Sequence, residues 1–179
     1  MRPLFLIGFM ACGKSTLLHA LADREPSRCY VDLDAAIEAR AGKSIPAIFA
    51  QDGEDAFRAL ESDVLEDLCA TDAVVACGGG TPCRPGAMDA MLAAGTVVWL
   101  RADIDITLER LALAPGQRPV IDALLGQPEA LRAKVESLMA VREPYYSRAH
   151  AVFDSSHLDT EAEIDNSARR FICTFLRNQ

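Results

Sequence analysis

Basic residues are in deficit: 18 lysines and arginines stand against 26 aspartates and glutamates, a net charge of −8. Such a chain offers no broad cationic surface to DNA, RNA or an anionic membrane, so any anionic ligand must be held by a local cluster. No apolar run approaches the length of a membrane span, and there is no repeat or low-complexity tract. The six cysteines, Cys12, Cys29, Cys69, Cys77, Cys83 and Cys173, form no C-x-x-C pair, and several sit in apolar runs where a free thiol behaves as a small hydrophobe. That pattern predicts a soluble protein of a reducing, cytoplasmic compartment. Asparagine is limited to Asn166 and Asn178, which excludes an Asn-Lys-x-Asp guanine reader, and an Asp-x-x-Gly switch is absent too. At 179 residues, a single domain spanning 1–179 with one well-buried core is expected.

What is present is organised around Gly8-Phe9-Met10-Ala11-Cys12-Gly13-Lys14-Ser15-Thr16, which has the spacing G-x-x-x-x-G-K-[ST]. It follows the apolar run Leu4-Phe5-Leu6-Ile7, read as a buried strand, and precedes a helical segment at 15–21. Strand, loop and helix in that order are the context this motif requires. Glycines let successive N–H groups point inward, and the helix N-terminus adds partial positive charge toward a phosphate. Lys14 is then placed for the β- and γ-phosphates of a nucleoside triphosphate, and the Ser15 hydroxyl for Mg²⁺. Arg2, the apolar stretch and Cys12 could imitate a secretory or lipoprotein leader, but Gly8 interrupts the stretch and Lys14 follows closely. Cys12 also lies beside Lys14 and a helix start, conditions that lower a thiol pKa, so a reactive thiol protected by Mg-ATP is expected, with an inert packed thiol as the alternative.

Further along, residues 29–34 read as a second strand whose alternation would point Asp32 and Asp34 toward one site; the alternative is that one of them caps the helix at 35–41. A long helix is predicted at 54–70, with Phe57, Leu60, Val64 and Leu68 facing the core. Glu54, Arg58 and Glu61 share another face, as a site cluster or as a solvated salt-bridge ladder. Residues 72–77 form a third strand ending in Gly78-Gly79-Gly80, read as a place where a ligand lies against bare backbone rather than as a linker. A helix within 83–94 that opens near Pro85, a strand at 96–100 and a helix capped by Asp103 come next, with Arg110 off its buried stripe. Residues 114–119 break the pattern as a candidate mobile loop carrying Arg118. A helix at 129–142, a strand at 151–153 and a final helix opened by the capping box Thr160-x-x-Glu163 complete the chain. Alternating strands and helices predict an α/β fold with a parallel sheet covered on both faces.

The ordered combination of Gly8 to Thr16, Asp32-Leu33-Asp34, Ile45 to Phe49 with Gly53-Glu54, Phe57-Arg58-x-x-Glu61, Gly78-Gly79-Gly80, Arg118-Pro119 and Arg142-x-Pro144-x-Tyr146 resembles the shikimate kinase family over essentially the whole chain. The resemblance implies a three-layer P-loop kinase fold with a five-stranded parallel sheet, an acceptor-binding region at about 33–61 and a mobile lid at about 112–124. It implies transfer of the ATP γ-phosphoryl group to the 3-hydroxyl of shikimate, with catalytic roles for Lys14, Asp34 and Arg118. The nucleotide would be held by Gly8, Ala11, Cys12, Gly13, Lys14, Ser15, Thr16, Arg110 and Arg118, with Ser15 and Asp32 at Mg²⁺. Asp34, Arg58, Gly78, Gly79, Gly80 and Arg142 would bind shikimate, the arginines taking its carboxylate. A cytoplasmic monomer is implied. A kinase for another hydroxy acid such as gluconate, or a catalytically silent ATP-binding relative, are the alternatives. The chain departs from the family pattern at Ala11, commonly glycine, and at Arg148 and His150, more usually an acidic and a small residue.

Overall fold

The structure, a computed structural model, describes residues 2–113 and 119–177. Its strands are β1 (Leu4–Ile7), β2 (Tyr30–Asp32), β3 (Val74–Ala76), β4 (Thr96–Arg101) and β5 (Ala151–Asp154). Its α-helices are α1 (Lys14–Arg24), α2 (Leu33–Ala41), α3 (Ile45–Gln51), α4 (Gly53–Cys69), α5 (Ala87–Ala94), α6 (Ile104–Leu113), α7 (Pro119–Asp122), α8 (Pro128–Tyr146) and α9 (Glu161–Phe171).

β1 is buried along its length because it lies at the centre of the sheet, whose order is β2-β3-β1-β4-β5 with every pairing parallel. Phe5 registers with Val75 on one side and Val97 on the other. Alternate residues of β1 enter different cores: Phe5 and Ile7 join Val64, Met88, Met91 and Val135 from α4, α5 and α8, whereas Leu4 and Leu6 join Leu17, Leu21, Ala168 and Phe171 from α1 and α9. A strand covered on both faces reads as a continuous apolar run without alternation. The three-layer parallel sheet expected from the sequence is therefore present. Among the described residues no helix is long and apolar enough to cross a membrane.

Three local expectations are corrected. The second strand ends at Asp32, and Asp34 belongs to the first turn of α2, so strand alternation does not relate the two carboxylates. Asp32 is the N-cap, its Oδ1 accepting from the N–H groups of Asp34 and Ala35 at 3.0 and 3.4 Å; the helix starts two residues earlier than read because capping wins over strand continuation. The helix read within 83–94 as opening near Pro85 is α5, which opens two residues later, at Ala87, after a 3₁₀ turn at Thr81–Cys83, since Pro82 and Pro85 each withhold an N–H. The helix expected to stop at residue 142 runs to Tyr146 with Pro144 inside it. A proline so close to a helix end removes one terminal hydrogen bond and leaves the rest of the ladder intact.

The capping box on α9 is formed: Thr160 Oγ1 accepts from Glu163 N at 3.3 Å, and the Glu163 carboxylate accepts from Thr160 N at 3.0 Å. The two departures near the end of α8 have structural partners. Arg148 pairs with Asp89 of α5, and His150 Nδ1 accepts the Val97 N–H at 3.1 Å while its own N–H donates to the Val97 carbonyl. They fasten the turn between α8 and β5 to α5 and to β4.

Candidate active site

Ligands of open parallel sheets bind beyond the C-terminal ends of the strands. Here β1 runs into Gly8, β2 ends at Asp32 and β3 leads to the glycine triplet, and a cleft of about 540 Å³ opens between them. Ala11, Gly13, Lys14, Ser15, Thr16, Asp32, Asp34, Gly78, Gly79 and Arg110 all line it. Gly8, Cys12, Arg58, Gly80 and Arg142 are not part of its wall, and Arg118 lies outside the described residues, as do positions 114–117 of the expected lid.

The loop after β1 is folded tightly. Gly8 has φ 146°, and a Cβ there would sit 2.3 Å from the Leu100 carbonyl oxygen, so only glycine fits. Among the described residues Ala11 is the only non-glycine with positive φ, at 58°. A left-handed alanine costs about 1–2 kcal/mol, so the departure from glycine places real strain in the loop. At the start of α1, the Lys14 ammonium donates to the carbonyls of Gly8 and Phe9 at 2.9 and 2.8 Å and stands 3.7 Å from Cys12 Sγ.

Cys12 is only 1% exposed, and a Cβ on Gly8 would lie 2.9 Å from its sulfur. The packed alternative therefore replaces the reactive thiol. An alkylating reagent is expected to leave Cys12 unmodified in the native protein, with or without Mg-ATP, and to label it only after unfolding; peptide mapping that finds native Cys12 labelled would overturn this.

Ser15 Oγ donates to Asp32 Oδ2 at 2.9 Å, so the hydroxyl and the second oxygen of the capping carboxylate meet at the mouth of the loop. Two hard oxygen donors so placed suit a magnesium ion that keeps several waters. Asp34 lies deeper. Burial, then the negative charges of Asp32 and Glu61, push its carboxyl pKa up, against a smaller lowering by Lys14. One of its oxygens would lie 3.2 Å from a Cβ on Gly78, so the first glycine of the triplet leaves room for the carboxylate.

Arg58 and Arg142 lie outside the lining of the cleft, Arg142 beside Gly79, which does line it. Glu61, 3% exposed, accepts from Thr81 Oγ1 at 2.7 Å and from Arg58 Nη1 at 3.0 Å, with Arg84 Nη1 at 3.4 Å; Arg58 also bonds Glu54 at 3.0 Å. The Glu54–Arg58–Glu61 set is thus neither a solvated ladder nor an open cluster: its inner acid is buried and tied to the 3₁₀ turn after the triplet. Arg142 packs its guanidinium over the Phe9 ring, 5.4 Å from the centroid, and its Nη1 passes 3.3 Å from where a Gly79 Cβ would be. Among the described residues it has no carboxylate within salt-bridge distance, in contrast to Arg58.

On the opposite side, Arg110 forms a bidentate pair with Asp159 at 2.7 and 3.0 Å. It also donates to the carbonyls of Ser155, Ser156 and, at 3.5 Å, Ala11. The Arg110 hydrogen bond is the main reason the Asp159 carboxyl is held below the usual carboxylate range. Leu158, beside it, covers Gly13, where a Cβ would come within 2.5 Å of Leu158 Cδ1. Sequence reasoning missed Leu158 and Asp159, which no local spacing marks, and it missed the burial of Glu61, for which the only signal was its place three residues after Arg58.

A model of the shikimate kinase family matches residues 10–173 of the chain. A shikimate kinase of Parabacteroides distasonis is 36% identical over 92% of this chain and 94% of its own length. Among solved structures, the shikimate kinase of Bacteroides thetaiotaomicron superposes with a TM-score of 0.85 at 32% identity, covering 96% of each chain. The shikimate kinase of Acinetobacter baumannii in complex with shikimate superposes with a TM-score of 0.78 at 28% identity, over 100% of this chain and 95% of that one. With the loop, the carboxylates and the glycine triplet in one cleft and these matches over nearly the whole length, the chain belongs to the shikimate kinase family, phosphotransferases that act on an alcohol group.

Proposed function

We propose that this single kinase domain, residues 1–179, transfers the γ-phosphoryl group of ATP to the 3-hydroxyl of shikimate, with Asp34 as the group that orients and deprotonates that hydroxyl. The observation that carries the proposal is that Lys14, Ser15, Asp32 and Asp34 line the same cleft as Gly78 and Gly79. A phosphoryl-transfer transition state asks mainly for positioning and charge stabilisation. The loop amides and Lys14 hold the phosphates, Leu158 and Arg110 flank the nucleotide end of the cleft, and Arg118 in the lid covers the transferring group. Ser15 and Asp32 would hold Mg²⁺, which when bound neutralises phosphate charge. Asp34, raised in pKa yet beside Lys14, is a base suited to a hydroxyl proton. A reducing, cytoplasmic compartment suits a chain whose described cysteines are all free.

The acceptor carboxylate falls to Arg142 and Arg58, within the region of about 33–61 and the end of α8. Planar guanidinium groups match a carboxylate bidentately. The charge of Arg58 is already offset by Glu54 and Glu61, so Arg142 is expected to carry the larger share. The experiment is a cycle: wild type, Arg58→Ala and Arg142→Ala, each with shikimate and its neutral amide, followed by coupled ADP release. Removing one charge-assisted grip should lower kcat/KM roughly tenfold or more, with the larger loss at Arg142, and the amide should lose most of its sensitivity to either substitution. Fully additive penalties would return the acceptor to an unknown hydroxy acid, gluconate included. No turnover on any acceptor would favour the silent relative.

A further inference from the structure

Tyr146 is the last residue of α8, and its side chain is fully buried against Trp99, with ring centroids 5.8 Å apart. Its hydroxyl donates to the Gly79 carbonyl and so fastens the last turn of α8, which carries Arg142, to the glycine triplet. Arg142 is confined on its other sides by the Phe9 ring and by the bare Cα of Gly79. Around Gly79, a Cβ would also meet the Gly8 carbonyl oxygen and the Met10 nitrogen at 3.4 Å, so the glycine, the nucleotide loop and the arginine share one contact point. A guanidinium without a carboxylate partner keeps a fixed direction only if neutral groups hold it, and here those are the Phe9 ring, the bare Gly79 backbone and the helical turn that the phenol ties to Gly79. Pro144 lies between the two residues on the same last turn and restricts the backbone that spaces them.

We propose that Tyr146 is a positioning residue for acceptor recognition: its hydroxyl sets the spacing between Arg142 and Gly79, so that the guanidinium meets the acceptor carboxylate already aligned. The proposal rests on the reading of Arg142 as a carboxylate reader. It assigns Tyr146 no contact with the reacting atoms.

The test compares wild type, Tyr146→Phe, Arg142→Ala and the double variant, with the thermal midpoint of each. Tyr146→Phe keeps the packing on Trp99 and removes only the hydroxyl. It is expected to raise the shikimate KM about tenfold while kcat and the ATP KM stay within about twofold, because the hydrogen bond that holds the Arg142 turn against Gly79 is lost and the guanidinium meets the acceptor less well aligned. In the Arg142→Ala background the same change should have little further effect on the shikimate KM. Equal deterioration of kcat and both KM values with a lowered thermal midpoint, or full additivity with Arg142→Ala, would show a packing role only and overturn the proposal. An elevated KM in Arg142→Ala with an unchanged KM in Tyr146→Phe would overturn it while leaving the arginine reading intact. An unchanged KM in Arg142→Ala would overturn the arginine reading itself, and this proposal with it.

Discussion

Lys14→Ala is expected to lower kcat by roughly 10²–10³-fold, the cost of deleting a preorganised charge aimed at a developing anion. The ammonium already stands over the loop, held by the Gly8 and Phe9 carbonyls. Incoming phosphate oxygens would exchange those neutral acceptors for charged ones, and the gain would grow as charge moves onto the transferring group. The substitution removes no core side chain, since Lys14 is only partly buried. Single-turnover phosphoryl transfer, measured beside a thermal melt, checks the expectation. Near-normal turnover in a folded variant would remove Lys14 from the chemistry.

Asp34→Asn is expected to combine a large loss of activity with a gain in stability. Loss of a general base lowers kcat by about 10²–10⁴-fold. The stability effect follows from linkage. Burial and the neighbouring acids raise the Asp34 pKa in the folded protein above its unfolded value, so the folded state binds the proton more tightly. The penalty for ionised Asp34 is absent below the unfolded pKa, sets in as pH rises through the folded pKa, and is fully present above it. Asparagine never ionises, so the thermal midpoint of the variant should exceed that of wild type at neutral and alkaline pH, and the difference should close on acidification. Melts across pH decide the matter; a variant less stable than wild type at neutral pH would mean that the carboxylate makes favourable contacts outweighing its burial.

Much of this arrangement is written in local pattern. The loop at residues 8–16, the apolar β1 run and the Thr160–Glu163 box each involve neighbours in sequence, so spacing alone carries the information. The failures occurred where two local signals competed. At 32–34 the chain offers both strand continuation and a capping aspartate, and the buried position of Leu33 in the α4 and α8 core settles it for helix. At Pro144 a helix breaker competes with a tertiary anchor two residues on, and the anchor wins. Pairings such as Arg110 with Asp159 or Glu61 with Thr81 join segments 49 and 20 residues apart, beyond anything periodicity can register. The carboxylate roles proposed for Arg58 and Arg142 come only through resemblance, because a lone arginine carries no sign of what it faces.

The ring beneath Tyr146 gives the protein an optical reporter. Trp99 is the chain's single tryptophan, 6% exposed, with Tyr146 on one side and the Arg101 guanidinium 5.4 Å from its ring. Indole emission from this protein therefore arises from one known place, the corner where the end of α8 meets β4, and it requires no label. A ligand that moves the end of α8 will change the charge and packing around that indole, and one that touches only the far side of the cleft, at Leu158 and Asp159, will leave the spectrum nearly still. Rearrangement at that corner can thus be followed by indole colour and intensity alone, in the unmodified protein.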